Sequence, residues 1–84
     1  MKENKTHKLI LVNDDENSYL YVMACLIKYC DHEREQAEQS AIITNNNGEC
    51  HIKSGSFMDM FELKNQLDSA NLNVRIEEYA SDLY

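Results

Sequence analysis

The sequence has no proline, no Cys-x-x-Cys pair and no apolar run near the length of a membrane helix, and its basic residues are few, eight against fifteen acidic ones. Each shortage excludes a class of protein. A spanning helix needs about 18 or more consecutive apolar residues, and residues 1–7 lack the apolar stretch of a secretory signal, so neither a membrane partner nor export is expected and the expected location is cytoplasmic. Cys25, Cys30 and Cys50 are odd in number and not paired in spacing, which argues against a disulfide framework and fits reduced thiols. A net charge of -7 with scattered Lys and Arg offers no basic patch for phosphates. Nucleic acid is therefore disfavoured, and basic peptides or protein surfaces are the better partners. Without repeats or low-complexity stretches to divide them, the 84 residues make one domain, and 43% hydrophobic content supports a modest core. Such a chain has no room for a large enzyme active site, and a non-enzymatic role is expected.

The organising stretch is Leu9-Ile10-Leu11-Val12-Asn13-Asp14-Asp15. Four β-favouring apolar residues suit a strand covered on at least one face, and the amide and two carboxylates that follow force a turn. A helical pattern starts at once, with Asn17 as its expected N-cap. Paired aspartates at a strand-to-helix turn have two readings: a helix start stabilised by the helix dipole, or an anionic site for a cationic ligand.

Apolar side chains at Tyr19, Val22, Met23, Leu26, Ile27 and Cys30 share one helical face, which predicts a helix over residues 18–29. Asp31 is the expected N-cap of a second helix through Glu35, Ala37, Ala41 and Ile42, ended by Asn45-Asn46-Asn47-Gly48, whose residues tolerate positive φ. Residues 49–53 alternate with Cys50 and Ile52 on one side, predicting a short edge strand broken by Ser54-Gly55. Ser56 and Asp59 form a capping pattern for a third helix with the stripe Phe57, Met60, Leu63, Leu67 and Ala70. Asn71 suits the left-handed residue after it, and Leu72, Val74 and Ile76 alternate as a last strand. The expected architecture is α+β: a two-layer α/β sandwich, β-α-α-β-α-β, with a three-stranded sheet and helices on one face. Residues 8–78 form the domain, between a short N-terminal tail of residues 1–7 and an acidic tail of residues 79–84.

This order, with Asn13-Asp14-Asp15 closing strand one, Arg34-Glu35-Gln36-Ala37 in helix two and the Gly48 turn, resembles the ClpS family, adaptors that bring N-degron substrates to a Clp AAA+ protease. The resemblance covers residues 9–76. An N-degron is a free α-ammonium next to a large apolar first side chain, so its receptor needs acceptors beside a dry pocket. The resemblance implies that Asn13 and Asp14 accept from the ammonium, that Asp15 and Asn17 line the peptide path, and that Tyr19, Val22, Ala41, Thr44 and Val74 form the pocket. A hydrogen bond to a charged group contributes roughly 1.5 to 3 kcal/mol and burial of one large apolar side chain about as much again, which suits micromolar binding.

Several positions depart from the family pattern. Tyr19 replaces a rim methionine, Ala41 and Thr44 replace larger apolar residues, and Asn45 stands where the family has a histidine that helps hold the ammonium. The segment ahead of strand one, which in the family engages the unfoldase, offers only about seven residues, and the chain is about four residues shorter between strand two and helix three. Implied partners are N-degron peptides and the N-terminal domain of a Clp AAA+ unfoldase; no cofactor and no metal are implied. An alternative reading keeps the fold as a protein interaction or regulatory module without N-degron binding, since the ribosomal stalk protein's C-terminal domain shares this order of elements. Metal-ligand types at Cys30-Asp31-His32 and Cys50-His51 lack a zinc-module spacing, and Cys25 has no cationic neighbour in sequence to favour a thiolate. Phe57, Met58, Met60 and Phe61 supply more apolar surface than one buried stripe needs, which fits either a partner surface or a crowded exterior.

Overall fold

The apolar run near the start of the chain becomes the centre of a sheet. The computed structural model describes residues 5–79; the two terminal tails expected from the sequence lie largely outside them. β1 (His7–Val12) pairs antiparallel with both β2 (Glu49–Gly55) and β3 (Val74–Glu78), in the order β2-β1-β3. α1 (Tyr19–Cys30), α2 (Arg34–Asn47) and α3 (Phe57–Ser69) complete the expected β-α-α-β-α-β order. Leu9 and Leu11 turn toward the helices and join Ile52, Val74, Cys25, Leu26, Cys30, Ala37, Met60, Leu63, Leu67 and Leu72 in one buried cluster. Fully burying a leucine contributes about 1.5 to 3 kcal/mol, so Leu9, Leu11, Leu26 and Leu67 dominate cohesion.

Ile10 occupies the opposite face of β1, outside that cluster, yet is only 4% exposed. Its ladder neighbours are His51 on β2 and Arg75 on β3, and Arg75 pairs with both Glu49 and Glu77 while Lys8 reaches Glu77. Exposed pairs of this kind contribute little energy each, but across three strands they favour this register.

Several local features differ from what the sequence predicts. Ser18, not Asn17, is the N-cap of α1: its Oγ accepts from the Tyr21 N–H at 3.1 Å. Asp31 is not an N-cap; with φ of 62° it ends α1, and α2 starts after Glu33 with no side-chain cap. β2 runs through Ser54 to Gly55 instead of stopping at Lys53. Lys53 faces Leu9 while His51 faces Ile10, so Ile52 is the extra residue of a bulge, which turns Ile52 and Lys53 both toward the helices. In α3 the buried stripe narrows to Met60, Leu63 and Leu67; Phe57 is exposed and Ala70 half-buried.

The turn residues behave as their chemistry dictates. Asn71 has φ of 70°, and the Leu72 and Asn71 N–H groups donate to the Leu67 and Asp68 carbonyls, the bond pattern of a left-handed helix end. Gly48 ends α2 at φ of 91° with no atom near the position a Cβ would take. Its requirement is therefore conformational: Gly48→Ala is expected to lower unfolding free energy by about 1 kcal/mol, measured by urea denaturation, without altering the fold.

Candidate functional site

The end of β1 is held from both sides. The Val12 N–H donates to the Asn73 carbonyl at 2.8 Å and the Asn13 N–H to the Gly48 carbonyl at 2.9 Å, so the loops after α3 and α2 both close on it. Between them lies a cavity of about 80 Å³ lined by Leu11, Val12 and Leu72 together with Asn13, Asp14, Asn17, Tyr19, Val22, Ala41, Thr44 and Asn45. One water needs about 10 to 15 Å³ of such volume, so the cavity has room for about six water-sized groups, the scale of one large side chain.

Eight of the ten residues expected at the site are brought together here. Asp15 and Val74 are not: Asp15 is exposed outside the cavity, and Val74 pairs with Leu11 and is buried in the core, while Leu72 forms that wall. Leu11, Val12 and Leu72 also line it, although the resemblance does not imply them. The strand alternation that pairs Leu11 with Leu9 carries a signal for the first; Leu72 could be found only from the left-handed turn at Asn71 that redirects it.

Polar groups gather at one end. The Asp14 carboxylate accepts from the backbone N–H groups of Glu16 (2.9 Å) and Asn17 (3.1 Å) through Oδ1, and from the Asn17 side chain at Oδ2 (3.2 Å). It therefore shapes the turn as well as facing the cavity. None of the lining residues is Lys or Arg, and the last turn of α2, which supplies Thr44 and Asn45, adds the negative end of a helix dipole. Asn13 and Asn45 bring further amide oxygens. Such a mouth favours a cation with N–H donors.

The walls away from that end mix the apolar side chains of Leu11, Val22, Ala41 and Leu72 with the hydroxyl-bearing Thr44 and Tyr19. Ala41 and Thr44 are 4% exposed, and the Thr44 hydroxyl donates to the Ser40 carbonyl at 2.7 Å. Its hydrogen is thus already used, and toward a guest the hydroxyl oxygen can only accept. Tyr19 is 40% exposed and its hydroxyl donates weakly to the Glu38 carbonyl at 3.4 Å, spanning from α1 to α2.

Other chemistry-bearing residues are placed elsewhere. Among the described residues, the Cys30-Asp31-His32 and Cys50-His51 segments do not assemble a group of three metal ligands. Burial pushes the Cys30 thiol up to about 11, so it stays protonated at neutral pH. No helix among the described residues is long and apolar enough to cross a membrane.

His32 is 5% exposed; its Nδ1 lies 3.3 Å from the Cys30 carbonyl and its Nε2 has no partner. Burial holds its pKa below the usual histidine value, with the Lys53 cation acting in the same direction against the Cys30 hydrogen bond and Asp31. The neutral ring is the folded form. Because the folded pKa lies below the unfolded one, stability is fully present above about pH 6.5 and declines as pH falls below it. His32→Leu is expected to flatten this decline between about pH 6.5 and 5 in urea denaturation series; an unchanged slope would assign it to other groups.

The family described as ATP-dependent Clp protease adaptor protein ClpS matches residues 2–75. Among solved structures, Agrobacterium tumefaciens ClpS2 bound to L-phenylalaninamide aligns with a TM-score of 0.75 over 89% of this chain and 98% of that one, at 17% identity. At that identity the likeness is one of fold. A comparison with curated proteins found no match.

Proposed function

The chain belongs to the ClpS family of Clp protease adaptors, and from that premise we propose that its cavity receives the first residue of a substrate chain. The free α-ammonium sits at the Asn13, Asp14 and Asn45 mouth, and the first side chain enters between Tyr19, Val22, Ala41 and Thr44. The observation that carries this is a cavity of side-chain size whose mouth holds a carboxylate and amides and whose lining has no cation. The ligand in the Agrobacterium relative, L-phenylalaninamide, supports it chemically, being the amide of an aromatic amino acid with a free α-amine. On this reading the protein presents N-degron substrates to the N-terminal domain of a Clp unfoldase.

A second use of the same chain is favoured by one surface feature. His7 stacks edge-on against Phe57, Phe57 lies over Phe61, and Met58 beside them is 69% exposed; none of these lines the cavity. Exposed aromatic and methionine side chains on one helix suit contact with a protein partner, and this contact would serve a regulatory module even without peptide binding.

The deciding experiment is calorimetric titration with two short peptides that begin with Tyr, one with a free and one with an acetylated N-terminus. Acetylation removes the charge and two of the three N–H donors. The free peptide is expected to bind in the micromolar range and the acetylated one at least about 30-fold more weakly, as loss of charged hydrogen bonds worth roughly 1.5 to 3 kcal/mol each implies. Equal binding of the two would overturn the reading.

A further inference from the structure

The two oxygens of Asp14 are not equivalent. Oδ1 accepts from two backbone N–H groups, those of Glu16 and Asn17, and at 3.4 Å from the Asn17 side-chain amide, whereas Oδ2 accepts only from that amide, at 3.2 Å. Oδ2 is thus the atom with accepting capacity left for an incoming donor. The same Asn17 Nδ2 donates to the Asn71 carbonyl at 2.8 Å, across 54 residues of sequence. Both hydrogens of that amide are engaged, and because both neighbours are acceptors the orientation with nitrogen toward them is the chemically consistent one. Asn71 stands at φ of 70° and is followed directly by Leu72, a wall of the cavity. One amide therefore ties the carboxylate at the mouth to the loop that shapes the wall.

We propose that Asn17 is a positioning residue for α-ammonium recognition: its amide, anchored on the Asn71 carbonyl, aims Asp14 Oδ2 at the cavity mouth. The inference rests on the functional reading above and assigns Asn17 a role different from lining the peptide path. Without the amide, the Oδ1 bonds still hold the turn, but nothing fixes the plane of the carboxylate. Ligand binding must then order that plane, a cost the clamp meets in advance.

The test is a double-mutant cycle read with the free and acetylated Tyr peptides. Asn17→Ala is expected to weaken the free peptide about tenfold and leave the acetylated one unchanged. In an Asp14→Asn background the same change is expected to cost less than about twofold, because the group it positions is gone. Equal losses in both backgrounds, equal losses for both peptides, or no loss at all would overturn the clamp. Should Asn17→Ala melt below the assay temperature, Asn17→Ser repeats the cycle. If the wild-type protein binds both peptides alike, it is the functional reading that fails. The clamp is then judged without ligand, from the NMR signals of the Asn17 side-chain amide. They should move in Asp14→Asn and stay in place in Asp15→Asn; signals unmoved in both variants would overturn it.

Discussion

Asp14→Asn is expected to weaken binding of a free Tyr-initiated peptide by at least tenfold while shifting the melting temperature by only a few degrees. The substitution keeps an Oδ1 able to accept from the Glu16 and Asn17 N–H groups, so the turn after β1 stays closed. What disappears is the negative charge and the accepting Oδ2. A hydrogen bond to a charged partner contributes roughly 1.5 to 3 kcal/mol, which corresponds to about tenfold or more in affinity. Asp14→Ala is a different experiment. It strips two backbone N–H groups of their acceptor and is expected to lower stability as well, by about 1 to 2 kcal/mol. The sequence alone leaves this carboxylate two readings, a helix start or a site for a cation; the hydrogen bonds of the turn show that the fold uses it. Calorimetry and thermal melts on both variants separate the two contributions. Tight binding by Asp14→Asn would remove the carboxylate from recognition.

The second large effect concerns the first side chain, and it is expected at Ala41. Ala41 is 4% exposed, on the wall that α2 presents to a cavity of only about 80 Å³. Ala41→Leu places three more carbons in that space. Stability should stay level or rise, because added apolar volume fills an existing void without forcing neighbours apart. Binding of Tyr- or Phe-initiated peptides should fall by at least 30-fold, since a ring can no longer enter. In the native protein Tyr is expected to be preferred over Leu. Tyr19 can flank a guest ring, worth about 0.5 to 1.5 kcal/mol beyond burial, and the Thr44 oxygen can accept from a phenol hydroxyl. The Thr44 hydroxyl already has its acceptor in the Ser40 carbonyl. Its influence on selectivity is therefore confined to guests that donate. Peptides differing only in their first residue decide the matter, and tighter binding of Leu than Tyr would overturn this account of the cavity.

How much of this was legible beforehand depends on the range of the interactions concerned. Element type follows from local periodicity and turn chemistry. The run Leu9 to Val12, the helical spacing from Tyr19 to Cys30, Gly48 and Asn71 each act within a few residues, and the structure realises all of them. Which of two adjacent polar residues serves as the cap was not legible, because Asn17 and Ser18 have nearly equal intrinsic preference for that position. The tie is broken at a distance: Asn17 has an acceptor in the Asn71 carbonyl, 54 positions away, and this leaves the cap to Ser18. The same holds for the extent of β2, where local breakers at Ser54 and Gly55 yield to pairing with Lys8 and His7.

The sequence by itself determined the class of the domain, the strand that centres it and the acidic turn at that strand's end. These rest on apolar patterning and backbone stereochemistry, which neighbouring residues set among themselves. The tertiary structure alone decided that Leu72 rather than Val74 walls the cavity, that Asp15 stays outside it, and that Asn17 joins Asp14 to a distant loop. Those outcomes depend on where the left-handed turn at Asn71 brings the chain relative to the end of β1. That placement is set by helix packing on the sheet, and no short stretch of sequence encodes it.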